Sequence, residues 1–74
     1  MRQIEIRGEM IRLGVLLKLA GVIDAGGEAK HFLAGGSVLV NGEPEARRGR
    51  QLFGGDRVVA AGEELVIVAD RPES

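Results

Sequence analysis

The residues with the clearest chemical use are six bases, three of which stand within positions 47–50. They are Arg12, Lys18, Lys30, Arg47, Arg48 and Arg50. A guanidinium is charged at any physiological pH, and its planar fork of N–H donors matches two oxygens of one phosphate group. If these bases share one face of the folded chain, they could follow the phosphate backbone of a nucleic acid.

The overall charge argues against a nucleic-acid partner at first sight. The 74 residues carry a formal net charge of -1, whereas phosphate-binding domains are normally basic. However, many of the acids stand toward the C-terminus: Asp56, Glu63, Glu64, Asp70 and Glu73. We therefore predict that the cations segregate, so that the arginine-rich segment and the exposed sides of two helices form one concave positive surface. Bases that are scattered, or paired with neighbouring acids, would contradict this prediction.

Catalysis and metal binding have little support in the composition. The chain has no cysteine and a single histidine, His31, so neither a thiolate site nor a histidine-rich metal centre is expected. No nucleophile motif accompanies that histidine. The pairs Gly26-Gly27 and Gly35-Gly36 lack the spacing and the Lys-Ser/Thr of a phosphate loop. We expect a protein that is not an enzyme and has no cofactor or metal.

Neither a membrane anchor nor an aromatic binding surface is expected. No run approaches the roughly 18 apolar residues that a membrane-spanning helix needs, and the first nine residues do not resemble a signal peptide. We expect a cytoplasmic monomer. The aromatic residues are Phe32 and Phe53 alone, so the core should be aliphatic. Stacking of nucleobases on side chains should be nearly unavailable for the same reason.

The first elements that must position the bases are a strand and a helix. Residues Gln3–Ile6 alternate polar and apolar, which indicates a short edge strand. Over residues 11–20 the apolar positions recur with helical spacing, and Gly21 suits a left-handed C-terminal cap. The buried stripe of this helix is Leu13, Leu16, Leu17 and Ala20. On a helical wheel Arg12 falls at the border of the stripe, and Lys18 lies opposite it, facing solvent.

A second, shorter helix should follow and pack on the first. In the start region, Asp24 can accept from free N–H groups, and Glu28 lies near the positive end of the helix dipole. The helix is predicted to run to about Ala34 and to end at Gly35-Gly36. Its core face is Ala29, Phe32 and Leu33, and Lys30 and His31 lie off that face. A helix of two to three turns is not stable alone, so the two helices must pack together.

The rest of the chain has the pattern of a small sheet. Strand residues 37–40 followed by Asn41-Gly42 are a strong hairpin signal, and Pro44 restricts the returning strand to an edge or a short run. Beyond the arginines we predict a turn at Gly54–Asp56, strands at Arg57–Ala60 and Leu65–Ala69 with the latter buried or central, and fraying of Arg71–Ser74. The predicted class is α+β: two short packed helices against a small, mostly antiparallel sheet, in one domain spanning residues 1–74.

Several ordered segments of the chain resemble the RNA-binding domain first described in ribosomal protein S-four. They are Ile11–Gly21, Gly26–Lys30, Gly36–Gly42, Arg47–Leu52 and Gly55-Asp56. The likeness covers roughly residues 4 to 69 and is greatest to short stand-alone bacterial members. It implies an alpha-L motif that binds structured RNA, ribosomal or transfer, with the ribosome or its large subunit as a partner. Such RNA would be recognised through the shape and 2'-hydroxyls of its A-form grooves.

The resemblance also implies which residues contact the RNA. Carried across by position, they are Arg12, Lys18, Lys30, Asn41, Arg47, Arg48 and Arg50. Two positions depart from the larger members of the family. Gly14 stands where those members often have an acid, and Ala25-Gly26 stands where they have a Ser-Arg pair. The missing arginine weakens the contribution expected from the second helix.

Other interpretations stay open. The arginine segment could be a solvated loop that keeps an edge strand from aggregating, the lysines could be ordinary surface residues, and Asn41 could serve the turn alone. A ribosome-associated adaptor that binds mainly protein would expose a substantial apolar patch. A small β-grasp-like carrier acting through a C-terminal Gly-Gly is disfavoured by the ending Arg71–Ser74.

Overall fold

A computed structural model describes residues 1–70 of the chain, and the predicted fraying of Arg71–Ser74 lies outside the described residues. Within residues 1–70 there are two α-helices and seven β-strands. The helices are α1 (Leu13–Leu19) and α2 (Ala29–Ala34), the second preceded by a single 3-10 turn, Gly26–Glu28. The strands are β1 (Arg2–Arg7), β2 (Met10–Arg12), β3 (Leu39–Val40), β4 (Glu43–Pro44), β5 (Gln51–Phe53), β6 (Arg57–Ala60) and β7 (Glu63–Asp70). The α+β class is confirmed.

The strands form a five-stranded sheet and a separate two-stranded ribbon. The order in the sheet is β1-β7-β6-β3-β4, and the ribbon pairs β2 with β5. Only β1 and β7 run parallel among the described strands; the other pairs are antiparallel. The prediction of a mostly antiparallel sheet, with β1 at an edge and β7 inside, is therefore confirmed.

The core lies between the two helices and one face of the sheet, and it is aliphatic as predicted. The stripe of α1, together with Ala29 and Leu33 of α2, is buried against Val58, Leu65 and Ile67 of the sheet. Burying one such leucine or isoleucine contributes roughly 1.5–3 kcal/mol. This packing gives two very short helices the stability they lack alone. Neither described helix has the length and hydropathy needed to cross a bilayer.

The first helix ends as predicted but begins two residues later. Gly21 has φ 78 and donates to the carbonyl of Lys18 at 3.1 Å, while the N–H of Val22 reaches the carbonyl of Leu17 at 2.9 Å. Together these bonds make a Schellman motif. Residues 11 and 12, which were predicted to be helical, are extended, because together with Met10 they pair with β5. Arg12, with φ -83 and ψ 147, therefore precedes the helix, and its predicted place on the helical wheel was wrong.

The start of the second helix has no side-chain cap, and the acid that accepts hydrogen bonds in this region is not the predicted one. The N–H groups of Asp24 and Ala25 donate to the Glu28 carboxylate at 3.1 and 3.0 Å. The 3-10 turn brings Glu28 back over the two preceding amides, so the acceptor is the later acid and not Asp24. At the other end, Gly36 has φ 74, and the helix stops where the glycines predicted.

The predicted hairpin is present between β3 and β4. Asn41 and Gly42 have φ values of 51 and 85, which is the conformation of a tight turn that matches the twist of its strands. Leu39 lies opposite Pro44 in the register, and β4 stands at the edge of the sheet. The restriction that Pro44 places on the returning strand is thereby confirmed.

Candidate nucleic-acid interface

The segment that joins β4 to β5, residues 45–50, lies on the N-terminus of α1; we call it the arginine loop. The N–H of Leu13 donates to the carbonyl of Arg50 at 2.9 Å, and the N–H of Gly14 donates to the carbonyl of Arg48 at 2.8 Å. No side chain caps this helix. The loop carbonyls thus satisfy amides that a helix start leaves free, and the same bonds fix the loop on the helix.

At Gly14 the arginine loop approaches both helices closely. A Cβ atom added there would lie 3.3 Å from Cβ of Arg48, 3.4 Å from its carbonyl oxygen and 3.5 Å from Cβ of Ala29. A side chain at this position would press on the loop and on α2 together. Gly14, which stands where the larger family members often have an acid, therefore lies where α1, α2 and the arginine loop approach one another closely.

Three cations converge beside this contact in a shallow groove of about 380 Å³. The residues that line it, here called the basic groove, are Arg12, Gly14, Val15, Lys18, Ala29, Arg48 and Gly49. No acid is among them. The Nη1 atom of Arg12 donates to the carbonyl of Gly49 at 3.2 Å, which ties β2 to the arginine loop. Within residues 1–70, no ion pair involves Arg12, Lys18 or Arg48.

The two other loop arginines are ion-paired with one acid, Glu45. Its carboxylate accepts two side-chain bonds from Arg47, at 3.0 and 3.1 Å, and one from Nη1 of Arg50 at 2.7 Å. It also accepts the backbone N–H of Arg47 at 3.2 Å. Glu45 is only 8% exposed, and its own N–H donates to the carbonyl of Val38. We call Glu45, Arg47 and Arg50 the Glu45 cluster.

The two arginines keep the Glu45 carboxylate ionised at physiological pH. Hydrogen bonds from the Arg47 side chain, then from Arg50, lower the pKa of the Glu45 carboxyl to about 2. The same contacts raise the pKa of Arg47. One carboxylate faces two guanidiniums, so the cluster still has a net positive charge. The side chain of Arg47 remains 76% exposed, and Arg47 and Arg50 keep N–H donors that Glu45 does not use.

A second depression adjoins the basic groove on the other side of the arginine loop. It has a volume of about 630 Å³ and is lined by Arg47, Gly49, Arg50, Gln51, Phe53 and Asp56. Gly49 lines both depressions, so the two lie next to each other at that residue. We call this depression the Phe53 cleft.

The seven residues implied by the resemblance are thus brought together only in part. Arg12, Lys18 and Arg48 share the basic groove, and Arg47 and Arg50 line the Phe53 cleft while paired with Glu45. Lys30 is exposed on α2 but lines neither depression. Segregation of the cations therefore holds for the three groove residues, whereas two loop arginines are paired with an acid. Contact of any of them with RNA stays a prediction.

Asn41 has a structural role in the turn. Its Nδ2 donates to Oδ1 of Asp56 at 3.1 Å, and its Oδ1 accepts the backbone N–H of Arg57 at 2.9 Å. The nitrogen and the oxygen of the Asn41 side-chain amide thus both join the β3–β4 turn to the start of β6. This geometry supports the interpretation of Asn41 as a turn former.

Sequence reasoning missed three residues of this surface. Glu45 has no periodic relation to the arginines that could indicate its pairing, because the loop is neither helix nor strand. Val15 is 56% exposed and lines the basic groove, which a count of apolar residues does not reveal. Phe53 follows Leu52 in a strand, and the alternation of side chains could have indicated that it points outward.

Comparison with known proteins gives two findings. Residues 4–68 of this chain match the S4 domain family. The chain is also 58% identical over 59 residues to a protein of Bacillus subtilis (strain 168) that is named probable ribosome maturation protein RlbA. That similarity covers 80% of this chain and 83% of the relative. The matched span includes both depressions and the arginine loop.

Proposed function

The chain belongs to the S4 domain family, and from this premise we propose that it binds structured RNA through the basic groove and the arginine loop. One observation carries the proposal. Arg12, Lys18 and Arg48 come from a strand, a helix and a loop, and they converge in a groove without an acid, although the whole chain has a net charge of -1. Such segregation is the electrostatic pattern that a phosphate backbone requires.

The shape of the groove suits an RNA backbone. Its lining combines two apolar residues, Val15 and Ala29, with the three cations. The apolar residues can contact sugars while the cations bind phosphates, and such contacts read shape more than base sequence. The carbonyl of Arg48 accepts the N–H of Gly14, and the carbonyl of Arg50 accepts the N–H of Leu13, so the backbone position of Arg48 is set before RNA arrives.

We propose that the RNA is ribosomal and that binding occurs during maturation of a ribosomal particle. The support is the name of the relative, probable ribosome maturation protein, together with the 58% identity over 80% of this chain. On this account the chain is a cytoplasmic, monomeric binding protein without catalysis of its own. Transfer RNA, the other structured RNA expected from the resemblance, then binds more weakly than ribosomal RNA.

Crosslinking in the native cell tests the identity of the RNA. The tagged protein is crosslinked by ultraviolet light, purified under denaturing conditions, and the attached RNA is sequenced. We expect reads concentrated at a few sites in ribosomal RNA, and few such reads from the variant Arg12→Ala/Lys18→Ala/Arg48→Ala. Reads from transfer RNA, or reads that the triple variant leaves unchanged, would contradict the proposal.

A protein-binding adaptor is the second candidate, and a specific feature of α1 favours it. Val15 and Leu19 stand one turn apart and are 56% and 54% exposed. The adaptor hypothesis predicts that Leu19→Gln releases the chain from ribosomal particles while its affinity for purified RNA is unchanged. Retention of the Leu19→Gln variant on the particles would speak against the adaptor.

A further inference from the structure

The aromatic ring of Phe53 is placed where a nucleic-acid ligand could use it. Phe53 is 47% exposed, although the chain has only one other aromatic residue. An exposed ring contributes less free energy to folding than a buried ring does. Phe32, by contrast, packs against the core. Phe53 thus provides an exposed aromatic surface, which was not expected from the composition alone.

The ribbon of β2 and β5 puts this ring beside a groove cation. Met10 lies opposite Phe53, and Arg12 lies opposite Gln51, in the antiparallel register. Side chains two apart along a strand share a face, so these four residues point to the same side of the ribbon. Between them, Leu52 is buried and points to the core. The ring and the guanidinium of Arg12 therefore face the same side of the molecule.

The chemistry of the Phe53 cleft differs from that of the basic groove. Beside the ring it has the guanidiniums of Arg47 and Arg50 and one acid, Asp56. The Asp56 carboxylate accepts the backbone N–H of Phe53 at 2.8 Å and the amide of Asn41 at 3.1 Å. It keeps lone pairs for a further donor. The cleft thus has a flat apolar surface, donors for a phosphate and an acceptor for an amino or hydroxyl group.

We propose that the Phe53 cleft is a subsite for one unpaired nucleotide of the RNA. The base stacks on the ring of Phe53, its phosphate lies toward Arg47 and Arg50, and a donor of the base or the ribose reaches Asp56. Base stacking on an aromatic ring is the usual way in which proteins hold unpaired bases. Because Gly49 lines both the cleft and the groove, a duplex in the groove could place a bulged nucleotide in the cleft. This subsite rests on the proposed function, which supplies the RNA.

Two hairpins of equal length, one fully paired and one with a single bulged 2-aminopurine, test the subsite. The fluorescence of 2-aminopurine falls when the base stacks. We expect the protein to bind the bulged hairpin about tenfold more tightly and to quench it. Phe53→Leu keeps an apolar side chain without the ring, so it should remove both the preference and the quenching. Phe53→Tyr keeps the ring and should retain them. Circular dichroism checks that each variant is folded.

The possible results separate the subsite from the proposed function. If the protein binds both hairpins equally, or if Phe53→Leu keeps the preference and the quenching, the subsite is overturned while RNA binding stands. If neither hairpin shows salt-dependent binding, the proposed function fails, and the subsite fails with it.

Discussion

The backbone N–H of Gly14 donates to the carbonyl of Arg48 at 2.8 Å, which joins the first turn of α1 to the arginine loop. Glycine permits this contact because it has no side chain: a Cβ atom at position 14 would lie only 3.3 Å from Cβ of Arg48. A helix start whose amides are satisfied by a loop, and not by a side chain, couples helix stability to loop position.

Gly14→Val should destabilise the protein and displace Arg48. The larger side chain has to push aside the loop or Ala29, and overpacking of this kind costs about 1–3 kcal/mol. Urea unfolding measures the loss of stability, and RNA affinity measures the displacement. Gly27→Val is a matched control, because a Cβ at Gly27 has no atom within 4 Å. Equal effects of the two substitutions would show that the close approach at Gly14 has no special role.

Glu45→Gln should lower stability at neutral pH and lose that effect in acid. The pKa of Glu45 is lowered to about 2 in the folded chain, against 4.5 for the free group. The stabilisation from this carboxylate is therefore fully present above the unfolded value and is lost as the pH falls through about 2. Unfolding curves of the two proteins, measured from neutral pH downward, should differ most at neutral pH and converge in acid. A constant difference at all pH values would exclude Glu45 as its cause.

Asn41→Ala should reduce stability and leave RNA binding unchanged. Alanine at φ 51 is strained by roughly 1–2 kcal/mol, and the bonds to Asp56 and Arg57 are lost as well. Asn41→Gly removes the same bonds but tolerates the backbone, so it should cost less. Thermal unfolding ranks the three proteins. A fall in RNA affinity for folded Asn41→Gly would instead make Asn41 an RNA contact.

Local patterns predicted most of the fold, and long-range pairing explains what they missed. The spacing of Leu13, Leu16 and Leu17 gave the buried face of α1, and Asn41-Gly42 gave the hairpin, because both signals lie within a few residues. Residues 11 and 12 look helical on the same basis. Their pairing with β5 joins positions some 40 residues apart, and no local period records it.

The candidate site was predicted by residue type better than by arrangement. The sequence indicated the arginines but not which of them are paired. Glu45 is a buried acid whose partners come from the same irregular loop. Only the fold of that loop shows that Arg47 and Arg50 are ion-paired, whereas Arg48 has no ion pair within residues 1–70. The aromatic surface was missed because a count of two phenylalanines does not say which one is exposed.

The salt dependence of RNA affinity tests most directly whether the basic groove binds phosphates. Affinity for a ribosomal RNA fragment is measured from about 50 to 200 mM salt for the wild type, for Arg48→Ala and for Arg57→Ala, which removes the same charge from an exposed position that lines neither depression. We predict that Arg48→Ala weakens binding and reduces the slope of log affinity against log salt by about one unit, while Arg57→Ala leaves the slope unchanged. Equal slopes for the wild type and Arg48→Ala would contradict the account.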